Sequence, residues 1–137
     1  MSTAAKELPA CPVETTLTLI SDKWKVLILR DLMPGTKRFG ELKKSIGTVS
    51  QKVLTAQLRQ MEESGLLTRK VYPEVPPRVE YTLTELGYSL KPILDAMWNW
   101  GEAYKARSGH TSRAGVLRVC AWMYLFKNYT LKDWVAF

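Results

Sequence analysis

The chain has 137 residues, 46% hydrophobic and 24% charged, which fits one globular domain rather than a disordered or fibrous chain. Its net charge of +7 points to a polyanionic partner, nucleic acid or an anionic membrane surface, against the plainer reading of a solvated basic face. Cys11, Cys120 and His110 are the whole stock of cysteine and histidine, too little for a disulfide framework, a zinc cluster or a histidine-based triad.

Residues 1–10 read as a flexible arm with one lysine and no apolar stretch of the secretory kind. Pro12 can open a helix, and Val13, Leu17 and Ile20 recur at helical spacing, so a short helix is expected over Pro12 to Ile20. Ser21 or Asp22 can cap the next helix. That helix carries Trp24, Leu27, Ile28 and Leu32 on one stripe and stops at Pro34-Gly35. Phe39, Leu42 and Ile46 mark a third helix ending near Gly47. Ser50 caps a fourth, lined by Leu54, Leu58 and Met61 and ended by Gly65. Only Gly47-Thr48-Val49 separates the third helix from the fourth, which is helix-turn-helix spacing.

The period then changes. Leu67, Arg69, Val71 and later Val79, Tyr81, Leu83 alternate as strands do. Between them Pro73-Glu74-Val75-Pro76-Pro77 cannot be helical, so the segment reads as a β-hairpin wing with a stiff tip. Thr84 caps a final helical run through Leu86, Leu90, Ile93, Leu94, Met97 and Trp98 to about Tyr104. Pro92 either kinks this run or divides it. The domain is expected to span residues 11–108, with residues 109–137 as a tail. The tail holds Trp122, Tyr124, Phe126, Tyr129, Trp134 and Phe137. It reads as a packed extra helix or as a segment foreign to the domain. Its longest apolar stretch, Val119 to Phe126, falls short of the roughly 18 residues a membrane span needs. A cytoplasmic protein with no membrane partner is therefore expected.

This order predicts an α+β, mainly helical fold: a winged helix-turn-helix with a β-hairpin wing and a long C-terminal helix. Such a fold presents the N-terminal residues of its second helix to base edges in the major groove. Here those are Ser50, Gln51 and Lys52, with Arg59 further along the face opposite Leu54 and Thr55 at its flank. Glutamine can bond adenine in two places, lysine or arginine can reach guanine, and threonine can meet a thymine methyl. A solvated helix face with a serine cap is the plainer alternative. Lys37, Arg38, Lys43 and Lys44 precede the turn with only Glu41 against them, and suit phosphate contact. Arg69, Lys70 and Arg78 flank the wing. Arg78 has two readings: a phosphate or minor-groove contact, or cross-strand pairing with Glu80 or Glu74.

Cys11 stands just before a helix, whose N-terminus favours a reactive thiolate, while Glu14 opposes it by like-charge repulsion. The plainer reading is a small apolar residue at a contact. Cys120 reads as packing. Trp98 continues the Leu94 stripe. Trp100, two residues on, faces elsewhere: a partner subunit, the tail or an aromatic ligand pocket, with core packing preferred to a pocket.

Several strings here are familiar: Cys11-Pro12-Val13-Glu14-Thr15-Thr16, Lys23-Trp24 and Arg38-Phe39-Gly40-Glu41-Leu42. Ser50-Gln51-Lys52-Val53-Leu54-Thr55 with Leu58 and Gly65-Leu66 adds to them. The most specific stretch runs from Val71 through Pro76-Pro77-Arg78-Val79-Glu80-Tyr81 to Leu83-Thr84-Glu85-Leu86-Gly87. Together they resemble the HxlR-type family of bacterial winged helix-turn-helix regulators, which are MarR-like, over about residues 10–105. The resemblance implies a homodimer held by the N-terminal and long C-terminal helices, with Leu17, Leu90, Leu94, Met97, Trp98 and Trp100 as interface candidates. It implies binding to double-stranded DNA at a two-fold related operator. Some members sense a small oxidant or electrophile through the N-terminal cysteine, here Cys11. The tail from about Gly109 departs from the family pattern. A protein-interaction module using that aromatic tail is the competing function. An enzyme acting through a Cys11 thiol is a weak third, for no second cysteine stands at CxxC spacing. No cofactor, metal or catalytic residue is expected.

Overall fold

Side-chain caps and glycines set most of the element boundaries. The computed structural model describes residues 7–109. Cys120, His110 and the aromatic tail beyond Gly109 lie outside the described residues, as do residues 1–6 of the arm. Helix α1 (Pro12–Ile20) starts at Cys11, whose extended backbone precedes Pro12. Helix α2 (Lys23–Leu32) is capped by Asp22, whose Oδ1 accepts the Trp24 N–H at 2.8 Å. Strand β1 (Lys37–Arg38) leads directly into α3 (Phe39–Ile46). Helix α4 (Gln51–Glu63) is capped by Ser50, whose Oγ accepts the Val53 N–H at 3.2 Å. Gly47 and Gly65 close α3 and α4 at φ 76° and 78°, a region that residues bearing a Cβ rarely enter.

Strands β2 (Leu67–Tyr72) and β3 (Arg78–Leu83) form the hairpin, antiparallel and in register from Leu67–Leu83 to Tyr72–Arg78. β1 pairs with the other edge of β3 and gives the sheet order β1-β3-β2. This third strand was not foreseen, since two residues are too few to show an alternating pattern. Helix α5 (Glu85–Tyr88) is one turn long, and α6 (Lys91–Arg107) is the long C-terminal helix. Of the two outcomes left open for Pro92, the structure takes division. Pro92 sits in the first turn of α6, where its missing N–H leaves no helical bond unmade.

Helix α2 lies at the centre, against α1, α3, α4 and β3. Ile28, Leu29 and Leu32 are fully buried there with Leu42, Val49, Leu54, Leu58, Met61, Leu66 and Leu67. Asp31 is also buried; the neighbouring Arg30 Nε donates to its Oδ1 at 2.8 Å, while its Oδ2 has no hydrogen-bond partner among the described residues. Tyr81 and Leu83 carry this core onto the sheet, and Leu90 and Leu94 close it.

The junction of the wing with α5 is the tightest point. Thr84 Oγ1 accepts the Gly87 N–H at 3.2 Å, and the Leu66 carbonyl accepts the Thr84 N–H at 3.0 Å. A Cβ at position 87 would overlap that Leu66 carbonyl oxygen and press on the Leu83 side chain. Gly87→Ala is therefore expected to lower stability by about 1–3 kcal/mol through overpacking against backbone, read as a drop in the urea midpoint. An unchanged midpoint would show that α5 shifts without cost.

Candidate nucleic-acid interface

Helix α4 presents two chemically different faces. Leu54, Leu58 and Met61 are buried, while Gln51, Lys52, Thr55, Ala56 and Arg59 line a shallow open hollow on the other side. Ser50, at the cap, is exposed. The helix is also fixed laterally. Gln57 Nε2 donates to Asp22 Oδ2 at 3.2 Å, and Asp22 caps α2 through its other oxygen. One carboxylate thus ties the start of α2 to the middle of α4. This link was missed in the sequence, because Asp22 and Gln57 stand 35 residues apart.

The polar groups of α4 are not equally available. Ser50 Oγ is engaged as an acceptor in its cap, and Thr55 Oγ1 donates to the Gln51 carbonyl at 2.8 Å. Thr55 therefore offers its methyl group rather than its hydroxyl proton. Among the described residues, no carboxylate stands within ion-pair distance of Lys52 or Arg59.

The flanking cations come from three elements. Lys43 and Lys44 occupy the last turn of α3, where the helix dipole favours positive charge. Lys44 is exposed and Lys43 half-buried. Lys37 and Arg38 lie on β1, opposite Tyr81 and Glu80 of β3, and the Arg38 backbone N–H donates to Glu41 Oε2 at 3.3 Å. Arg69 and Lys70 are exposed on β2.

Arg78 is held on the wing. Its Nη2 lies 3.3 Å from Glu74 Oε1 and its Nε 3.5 Å from Glu80 Oε1, and its guanidinium carbon sits 4.0 Å over the Tyr72 ring. Of the two readings of Arg78, pairing with Glu80 and Glu74 is present, but within β3 and its loop rather than across the strands, where Tyr72 is the partner. Tyr72 itself was overlooked. Only the register reveals that it stands opposite Arg78.

The expected interface residues separate into two groups. Leu90 and Leu94 are 7% and 4% exposed in the chain's own core, so their assignment to a subunit contact is corrected. Trp98 is half-buried. Leu17 and Met97 stay exposed with Val13 of α1, as does Trp100, which stacks on Tyr104 with ring centroids 5.3 Å apart. Cys11 is an exposed free thiol at the start of α1. Among the described residues there is no His/Cys/Asp/Glu group able to hold a metal ion. No helix among them is long and apolar enough to cross a membrane.

Residues 19–109 match the HxlR-like helix-turn-helix family. The chain is 47% identical over 104 residues to the HTH-type transcriptional regulator YdeP of Bacillus subtilis strain 168, covering 76% of this chain and 81% of that protein. The fold superposes on the redox regulator HypR in its reduced form with TM-score 0.66 and 44% identity, over 69% of this chain and 94% of that one. It also matches the reduced form of the B. subtilis transcriptional regulator YodB with TM-score 0.59 and 38% identity, over 69% and 93% of the two chains.

Asp22→Ala would remove a helix cap and the Gln57 anchor together. A loss of about 1–2 kcal/mol is expected in chemical denaturation. Gln57→Ala, which spares the cap, should lose clearly less. Equal losses would mean that the cap contributes nothing beyond the link.

Proposed function

The chain belongs to the HxlR-like helix-turn-helix family and is a transcription regulator of the HTH type; from that premise we propose that it binds a two-fold related operator as a cytoplasmic homodimer. The exposed face of α4 carries the reading. Gln51, Lys52, Thr55 and Arg59 are groups that match base edges, and they lie on a helix whose opposite side is locked into the core. Lys37, Arg38, Lys43 and Lys44 then serve the phosphates on either side, which set register rather than sequence. The two α4 helices of a dimer enter successive major grooves about 34 Å apart.

The subunit contact is formed by α1 and α6, through Val13, Leu17, Met97 and the Trp100–Tyr104 stack, with Trp98 at its edge. These side chains leave apolar area in water when the chain is alone. Cys11 is exposed at the start of α1, one of the two helices of that contact. Three of the matched structures are of the redox regulator HypR, in its oxidized and reduced forms, or of a diamide-treated regulator, YodB, which supports a role for this thiol. Oxidation or alkylation of Cys11 moves α1 against its neighbour and so changes the separation of the recognition helices. Treatment with diamide or a quinone should therefore alter DNA affinity in the wild type and leave a Cys11→Ser variant unaffected. An unaltered affinity with Cys11 shown modified by mass spectrometry would overturn the sensor role.

The test of DNA recognition is selection from random-sequence duplexes across a salt series. Enrichment of an inverted repeat is the expected result; uniform recovery of all sequences would count against the reading. On the enriched site, Lys52→Ala should cost about 1–3 kcal/mol and relax preference at one base position. An equal loss on every sequence would make Lys52 a phosphate contact instead.

A further inference from the structure

Charge on the outer face of the wing sheet is organised around one carboxylate. Register places Glu80 of β3 opposite Lys70 of β2 on one side and opposite Arg38 of β1 on the other. Arg78, two residues earlier on β3, shares that face and stands opposite Tyr72. The Tyr72 ring receives both cations, with the Arg78 guanidinium at 4.0 Å and the Lys70 Nζ at 4.9 Å from its centroid. Arg78 meets Glu80 from the strand and Glu74 from the loop, at 3.5 and 3.3 Å. The Arg78 and Glu80 side chains are 28% and 22% exposed, against 53% for Glu74, so the Glu80 pair is the less screened of the two.

Among the described residues this sets Arg78 apart from the other cations near the recognition helix. No carboxylate lies within ion-pair distance of Lys37, Arg38, Lys43, Lys44, Lys52 or Arg59. Those cations can each displace a counterion from a phosphate without giving up a partner. Arg78 would first have to leave two carboxylates and an aromatic face.

We propose that Glu80, assisted by Glu74, is a specificity-determining residue that holds the Arg78 charge on the wing and withholds it from the phosphates of non-operator DNA. The proposal rests on the DNA-binding reading above. Phosphate contact is the sequence-independent part of affinity, and each phosphate neutralised steepens its salt dependence. A cation already neutralised by a carboxylate adds nothing to that term. Glu80 therefore lowers affinity for arbitrary duplex while leaving base reading to α4.

The experiment is a titration of the full chain with a labelled random-sequence duplex over a salt series. Glu80→Gln should bind roughly two- to fivefold tighter near 0.1 M salt, with a log–log salt slope steeper by up to about 0.9, the increment for one additional phosphate contact, of which the remaining, more exposed Glu74 pair withholds a part. Glu74→Gln, in the exposed loop, should move the same way by less; it carries the test if Glu80→Gln does not fold. The double variant Arg78→Gln/Glu80→Gln should return to the wild-type slope. An unchanged slope in the single variants, with the wild type binding, overturns the proposal alone. So does a gain that persists in the double variant, which would mean only that a negative charge had been removed near DNA. A wild type that does not bind the duplex at any salt overturns the DNA reading and this proposal with it.

Discussion

The burial of one face of α4 is the constraint on which the rest depends. Leu54, Leu58 and Met61 are at most 1% exposed, and each such side chain contributes about 1.5–3 kcal/mol by leaving water. Helix propensities differ by only about 0.7 kcal/mol per ordinary residue, so packing decides how the helix is rotated. Once those three positions face inward, a period of 3.6 residues leaves Gln51, Lys52, Thr55 and Arg59 facing outward. The cap at Ser50 fixes where the helix begins, and the Asp22–Gln57 bond resists rolling of α4 on α2. The proposed reading of bases needs that rigidity, because a hydrogen bond near 2.9 Å is lost when its donor moves away by much more than about half an ångström.

The wing follows a different logic. Its base is apolar and buried through Leu67, Tyr81 and Leu83, but its outer face is built from paired charges and one tyrosine ring. The Arg78–Tyr72 contact ties β3 to β2 at one point of the register, while the two ion pairs of Arg78 lie within β3 and its loop. On the wing Arg78 is held by carboxylates, whereas Arg69 and Lys70 of the same hairpin, like the cations of β1, α3 and α4, have no carboxylate partner among the described residues. The positive net charge of the chain is thus unevenly available to a polyanion.

Helices α1 and α6 complete the division of labour. Only Ile20 of α1 is buried, so this helix adds little to the chain's own core. Leu19 packs against that core from its edge, and Val13 and Leu17 are left exposed. On α6 the same split occurs along one helix: Leu94 points into the domain, and Met97 and Trp100 stay outside it. A helix that is apolar on more than one side leaves part of that surface in water in the single chain, which is what the proposed subunit contact would cover.

Much of this was legible in the residues. Period, caps and breakers were enough for helices α1 to α4, the turn of Gly47-Thr48-Val49 and the hairpin, because each depends on neighbours within a few positions. They also separated the inward and outward residues of α4, since those lie on one helix of known pitch. Strand β1 was not legible, for two residues have no period and owe their state to β3. Which residues of α6 face the core was not legible either, as Leu94 and Met97 follow the same helical spacing and only their burial in the folded chain distinguishes them. The sequence by itself determined the order of elements and the chemistry of the recognition helix, both local properties of the chain. The tertiary structure alone decided that Asp22 anchors Gln57 and that Arg78 is held by Glu80, Glu74 and Tyr72. The Asp22 anchor and the Tyr72 contact depend on segments that only folding brings side by side, and the choice among partners for Arg78 depends on strand register and loop geometry.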